Sequence, residues 1–252
     1  MGVPTVGCGC AVCVSTDPRD RRLRPSVMVR WRDGGGRERT VIIDTGPDFR
    51  EQALRAQLTR VDAVFYTHAH ADHILGMDDL RPLSFAMQRE RGEPIPLYAA
   101  PETAEVLERV YEYTFSPDAT YPTRARVKLE RLNDRTTIHG VDFARVPVQH
   151  GKLEIAGFRF GNAAYFTDVS EIPETSFDSL QDLDVLVLSA LRHKPHPSHA
   201  TLEQAVGWAR RIGARQTWLT HISHDLGHEQ TNLGLPEDVR LAYDGLSVPV
   251  QL

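Results

Sequence analysis

The chain has 252 residues, of which 41% are hydrophobic and 25% charged, a balance that excludes a disordered polymer. Lys and Arg number 29 against 34 Asp and Glu, so the formal charge is −5. That argues against broad electrostatic binding of nucleic acid and leaves room for a local metal-rich cleft.

No apolar run reaches the roughly 18–20 residues that span a bilayer, so no membrane partner is expected. Residues 1–7 lack the basic head and long apolar stretch of a signal peptide. The 3 cysteines all lie in Cys8-Gly9-Cys10-Ala11-Val12-Cys13. They are too close together for a disulfide framework. Thiols held by a metal in a reducing cytosol fit better, and a cytoplasmic location is expected.

Apolar runs at 27–29 and 41–43 flank Arg32-Asp33-Gly34-Gly35-Gly36-Arg37, which predicts a hairpin. The second run ends in Asp44-Thr45-Gly46-Pro47-Asp48, and Asp48 is placed to cap a helix ending near Leu58. Residues 63–66 form a short buried strand that runs into a histidine cluster. Residues 97–99 read as another strand, and Pro101 suits the first turn of a helix carrying Val106, Leu107, Val110 and Tyr111. Short strands follow at 141–148, 158–160 and 163–167. A fully apolar strand lies at 185–188, a helical face at Leu202, Ala205, Val206 and Ala209, and a further strand at 217–219. Runs at 241–243 and 246–250 predict a closing hairpin around Asp244-Gly245. Strands and helices mix without strict alternation, which favours two sheets with helices on their outer faces over one doubly wound sheet. No Ser- or Pro-rich linker marks a boundary, so residues 1–252 are expected to form a single domain.

The densest chemical signal is Thr67-His68-Ala69-His70-Ala71-Asp72-His73. Neutral imidazole and carboxylate are the usual ligands of zinc, manganese and iron. On an extended turn His68 and His70 share a face. Asp72 and His73 fall where the chain turns into a helix and can face a second ion. The cysteine triplet is a ready set of zinc donors, but zinc takes four. His224, in His221-Ile222-Ser223-His224, is the best fourth donor, with His228 as the spare.

Histidines in Arg192-His193-Lys194-Pro195-His196-Pro197-Ser198-His199 can serve as general acids or bind phosphate, His196 with a weaker claim than His199. Arg81 either anchors a phosphate through a bidentate contact or pairs with Asp78 or Asp79.

The HxHxDH stretch resembles the signature of the metallo-β-lactamase superfamily. The resemblance extends along the chain through His150, Asp168 and His221, each following an apolar strand in the expected order. It implies a four-layer αββα sandwich of the α/β class with a two-metal centre. His68, His70 and His150 would hold one ion, Asp72, His73 and His221 the other, and Asp168 would bridge them. Two such ions share a hydroxide and polarise a phosphoryl or carbonyl oxygen. Asp44 also matches a superfamily position, and its role is either to brace a ligand imidazole or simply to close a turn.

GCGCxxC near the start together with HISH near the end resembles the branch that contains the phosphoribosyl cyclic phosphodiesterase of phosphonate degradation. That likeness implies two divalent catalytic ions, manganese or zinc, and one structural zinc on Cys8, Cys10, Cys13 and His224. It also places His199 at a position that assists the leaving group. The expected catalytic residues are therefore His199, Asp72 and Asp168, and the expected substrate is a small, cyclic phosphate ester. A nuclease or tRNA-processing enzyme, a thioester or other carbonyl-ester hydrolase, and a non-catalytic biosynthetic factor remain as alternatives. The negative charge and the lack of a long basic insertion weigh against a nucleic-acid partner. A homodimer is compatible with a soluble enzyme of this size.

Overall fold

The computed structural model describes residues 2–117 and 121–252. The chain divides into two compact units, Ser26–Val141 and the combination of Met1–Pro25 with Asp142–Leu252.

In the Ser26–Val141 unit, β1 (Val27–Arg32) and β2 (Glu38–Ile43) form the expected hairpin, with Val27 opposite Ile43. Strands β3 (Ala63–Phe65), β4 (Ile95–Ala99) and β5 (Val127–Arg131) extend it in parallel, giving the order β1-β2-β3-β4-β5. Parallel strands covered on both faces read as unbroken apolar runs, as β3 does, whereas the edge strand β5 alternates Lys128 and Glu130 with Val127 and Leu129. Helix α1 (Phe49–Arg55) follows β2, while α2 (Ala71–Ile74), a 3-10 turn at Met77–Leu80 and α3 (Arg81–Arg91) follow β3. Helices α4 (Pro101–Val110) and α5 (Glu112–Phe115) follow β4, and β6 (Arg135–Ile138) follows β5. Pro101 stands in the first turn of α4, as its fixed φ favours. Ile42, Val64 and Leu97 from the sheet pack in one core with Met77, Leu80, Met87 and Leu107.

Helix α1 is shorter than the spacing predicts, and Asp48 does not cap it through its side chain. A capping carboxylate needs extended backbone to fold back over the first turn. Asp48 instead has φ −93° and ψ 4°, so its own backbone is already turning. The helix stops before Leu58 because Gln57 adopts a left-handed φ of 49°.

A buried charge stands just before β3. Asp62 accepts from Thr40 N at 2.8 Å, Arg39 Nη1 at 3.1 Å and Arg60 Nε at 3.0 Å, with Arg91 also paired to it. The Arg39 side chain is 8% exposed and that of Asp62 is 0% exposed. Removing one partner of such a group strands the other charge away from water.

In the second unit, β7 (Val141–His150), β8 (Leu153–Phe160) and β9 (Ala163–Phe166) form an antiparallel meander. Strands β10 (Val185–Ser189), β11 (Gln216–Thr220) and β12 (Val239–Leu241) continue in parallel, in the order β12-β11-β10-β9-β8-β7. The unit's helices are α6 (Glu174–Phe177), α7 (Leu202–Ile212) and α8 (His228–Leu233). Thr201 and Gln204 form a reciprocal capping box at the start of α7, and Gly213 at φ 71° ends it. Ala205, Ala209 and Ile212 of α7 join Leu186, Leu188 and Leu219 in this unit's own core.

The closing hairpin expected at 241–250 does not form. β12 pairs in parallel with β11, Thr217 opposite Val239, and residues 246–252 carry no strand. Pro249 lacks the N–H that a ladder needs. The tail is tied instead to Asn162, whose backbone N–H donates to the Gln251 carbonyl at 3.0 Å. No helix among the described residues is long and apolar enough to cross a membrane.

Asp62→Ala is expected to destabilise the protein by about 3–5 kcal/mol, the usual cost of orphaning a buried ion-pair partner. Urea unfolding monitored by circular dichroism checks it.

Candidate metal centre

Metal-type donors gather in each unit at the ends of strands. In the Ser26–Val141 unit they follow β3. His68 Nε2 lies 3.0 Å from His70 Nδ1, and Asp72 Oδ1 lies 3.8 Å from His73 Nε2. The His68 and His73 ring centroids are 4.2 Å apart. Nitrogen and oxygen ligands at about 2.0–2.2 Å from a tetrahedral ion are separated by roughly 3.3–3.5 Å, a value the 3.0 and 3.8 Å spacings bracket, so each of the two pairs could share a cation. His70 is exposed, whereas His68 and His73 are buried.

Asp44 organises this cluster. Fully buried at the end of β2, with φ 63°, it accepts from Thr67 N at 2.8 Å, Thr67 Oγ1 at 2.7 Å and His73 Nδ1 at 2.8 Å. That bond occupies Nδ1, so Nε2 is the nitrogen that His73 could offer to a metal. The carboxylate thus braces the His73 imidazole. The next residue extends the tie: Thr45 N donates to the His73 carbonyl at 2.8 Å, and Gly76 N to the Thr45 carbonyl at 2.7 Å. Only glycine fits at position 76, where a Cβ would run into the Gly46 carbonyl.

In the second unit, His150 ends β7, Asp168 follows β9 and His221 follows β11. His221 Nε2 lies 3.1 Å from Asp168 Oδ1, and Thr167 Oγ1 donates to Asp168 Oδ2 at 2.5 Å. His150 Nδ1 meets the Ser198 carbonyl at 2.6 Å, an orientation that leaves Nε2 for a metal. Asp168 and His221 sit at φ 58° and 51°, left-handed values that cost energy in non-glycine residues and turn the side chains off their strands.

His199 joins this group. Donor atoms of His150, Asp168 and His199 lie within 4.8 Å of one another, and the His199 ring stacks on His221 at 4.9 Å. Burial, reinforced by His221, holds the His199 imidazole down at about pKa 3 despite the opposing pull of Asp168. It is neutral at pH 7. His196 reaches the edge of the group, its ring 4.8 Å from that of His199, and its Nδ1 lies 3.3 Å from Ser198 N. His193 is exposed. Arg81 pairs with Asp78, Nη2 to Oδ2 at 3.4 Å, rather than with Asp79.

A separate donor set lies in the same unit. The sulfurs of Cys8, Cys10 and Cys13 stand 3.2, 3.4 and 3.4 Å from His224 Nδ1. Four-coordinate zinc, with bonds of about 2.3 Å to sulfur and 2.0 Å to nitrogen, separates such atoms by about 3.5 Å. His228 goes elsewhere: its backbone N–H donates to Asp20 Oδ1 at 2.8 Å and its ring meets Tyr243. The Cys10 thiol is lowered to about 6, chiefly by a backbone hydrogen bond from Cys13, while burial raises that of Cys13.

Two supporting residues escaped the sequence. Arg22, 6% exposed, donates to the Ser223 carbonyl at 3.1 Å and the Leu226 carbonyl at 2.7 Å. It thereby holds the segment that carries His221 and His224. Ser198 acts through its carbonyl, which no side-chain pattern reveals.

Residues 39–222 match the Beta-lactamase superfamily domain. A crystal structure of a new diphosphatase from the PhnP family superposes with a TM-score of 0.91 at 52% identity, covering 100% of this chain and 94% of that one. The chain therefore belongs to the β-lactamase superfamily, with the metallo-β-lactamase fold of the α/β sandwich class, and within it to the PhnP family. Zinc-bound PqqB from Methylobacterium extorquens shares the fold at a TM-score of 0.72 and 20% identity, over 99% of this chain and 96% of that one. A protein of Porphyromonas gingivalis named octanoyltransferase is 36% identical over 249 residues, which is 97% of this chain but only 48% of that protein. The chain thus spans about half the length of that curated relative.

Asp44→Ala is expected to weaken metal binding about 10- to 100-fold, as loss of an outer partner of a ligand histidine commonly does. Competition with a chromophoric chelator measures it. In protein stripped of metal, iodoacetamide is expected to alkylate Cys10 ahead of Cys13. The rate should climb between pH 5 and 7 because the attacking thiolate forms near pH 6, and mass spectrometry after timed labelling reads the order.

Proposed function

We propose that this protein is a dinuclear metal-dependent hydrolase, and specifically a phosphodiesterase for a small, cyclic phosphate ester, with the two units acting as one catalytic domain. The observation that carries this reading is the Asp44-braced histidine cluster, in which a buried carboxylate fixes the ligand nitrogen of His73. In this reading His68, His70 and His150 would hold one ion, Asp72, His73 and His221 would hold the other, and Asp168 would be shared between them. Two divalent ions, manganese or zinc, supply Lewis-acid polarisation of phosphoryl oxygens and acidify water at neutral pH.

The chain's own groups do the rest. The Ser198 carbonyl and Asp44 set the tautomers of His150 and His73. His199, neutral at pH 7, donates a hydrogen bond from its ring N–H toward the leaving oxygen instead of starting as an imidazolium. Cys8, Cys10, Cys13 and His224 bind one zinc that takes no part in the reaction, because four protein ligands leave no open position. A small-molecule substrate in the cytoplasm, with no nucleic-acid partner, suits the net charge of −5. The diphosphatase named for the 52% identical structure supports phosphoryl chemistry.

A second reading has its own support. The octanoyltransferase relative favours hydrolysis of an acyl thioester, which the same metal chemistry allows. Metal-reconstituted protein assayed on bis-p-nitrophenyl phosphate, a cyclic ribose phosphate and an octanoyl thioester separates them. Diester turnover alone supports the phosphodiesterase, and thioester turnover alone overturns it.

Asp168→Ala is expected to abolish turnover and to lower metal content while the fold persists, since two dications would face each other with one fewer negative charge between them. Metal analysis and rate are measured on the same sample. Near-normal rate with full metal content rules out the bridging role. Cys10→Ser is expected to lose about one zinc per chain and to lower the melting temperature.

A further inference from the structure

In the Ser26–Val141 unit, beside the helix that bears Asp72 and His73, lies a cavity of about 440 Å³ lined by Arg81, Tyr113 and Tyr121. Its volume falls in the usual range for small-molecule sites, about 300–1,000 Å³. Both tyrosines are exposed, Tyr113 at 41% and Tyr121 at 48%, although rings of this size are normally covered. They meet edge to face, centroids 6.2 Å apart at 83°, so the pair leaves a ring face open.

One carboxylate organises the walls. Asp78 pairs with Arg81 at 3.4 Å and is hydrogen-bonded to Tyr113, while its second oxygen, Oδ1, is buried with no partner among the described residues. The cavity is also tied to the metal-bearing helix. Tyr111, whose ring lies 6.4 Å from that of Tyr113, donates its hydroxyl to the Ile74 carbonyl at 3.0 Å.

Two aromatic rings and one guanidinium suit a flat heteroaromatic group joined to an anion. A bare sugar phosphate would use only the cation, and an acyl chain would find aliphatic walls better. We propose that Arg81, Tyr113 and Tyr121 form a nucleotide-recognition pocket, so that the phosphate ester or diphosphate this protein acts on carries a nucleobase. The nucleobase stacks on the face of one tyrosine and meets the other edge-on, as the 83° between the rings requires, and Arg81 engages a phosphate that does not react. The link to turnover rests on the hydrolase reading above, whereas the binding does not.

Calorimetry on the metal-loaded full chain tests it with AMP and ribose 5-phosphate, which share the sugar and phosphate and differ in the base. AMP is expected to bind at least about tenfold more tightly. Either Tyr113→Ala or Tyr121→Ala, whichever removes the ring whose face carries the base, should cut AMP affinity about 5- to 100-fold, the usual range for losing a base–aromatic stack, and leave ribose 5-phosphate within about twofold. Arg81→Gln should weaken both ligands. Tyr113→Phe and Tyr121→Phe keep the ring and should retain the preference, which separates lost stacking from lost folding. Equal affinity for the two ligands, no measurable binding of either, or AMP affinity unchanged in both alanine variants overturns the pocket. Hydrolysis of bis-p-nitrophenyl phosphate is assayed on the same preparation. Diester turnover without an AMP preference sinks the pocket alone, and an AMP preference without diester turnover sinks the phosphodiesterase reading alone.

Discussion

A carboxylate removed from water must have its charge fully bonded, and at Asp44 that demand shapes everything around it. Its oxygens take the Thr67 amide, the Thr67 hydroxyl and the His73 ring N–H. Those bonds fix the course of the chain leaving β3 and the direction of an imidazole. The flanking amide ties from Thr45 to His73 and from Gly76 to Thr45 carry the same constraint to the start of the 3-10 turn at Met77–Leu80. These bonds hold the donor side chains in fixed directions, which is the preorganisation that a metal site needs.

The second unit solves a similar problem with backbone strain. Asp168 and His221 leave their strands in left-handed conformations, and neither residue is glycine. Such conformations persist only where the surroundings over-determine them. Around His221 the means are visible. The buried Arg22 guanidinium clamps the Ser223 and Leu226 carbonyls, and His224, three residues on, meets the three cysteine sulfurs. The N-terminal loop and Arg22 together hold one short segment whose two histidines serve different clusters.

Electrostatics separates roles among residues of one type. Of the histidines gathered in the second unit, His199 is held neutral by burial beside other imidazoles, which suits a donor of a hydrogen bond better than a source of protons. Among the thiols, Cys10 is acidified by a backbone amide and Cys13 is made less acidic by burial. Identical side chains thus differ in chemistry because the backbone and solvent around them differ.

The class of fold, the apolar strands at 41–43, 63–66, 185–188 and 217–219, and the donors clustered in residues 67–73 and 8–13 were legible in the sequence, because hydrophobic period and ligand spacing are local properties of the covalent chain. Helix α4 with Pro101 in its first turn was legible for the same reason. Only tertiary structure decided the rest. His224 rather than His228 meets the cysteines, since the turn after β11 aims one toward them and carries the other to Asp20. Asp48 fails as a cap because its own φ and ψ forbid it, and the last residues bond to Asn162 instead of forming a hairpin. Arg22 and Asp62 gave no signal, and Arg81 was legible only as a phosphate anchor or a partner of Asp78 or Asp79, without the two tyrosines beside it, for each acts on groups distant in sequence or on backbone carbonyls. Which side chains meet across such separations is set by packing, and packing is not written in any local run of residues.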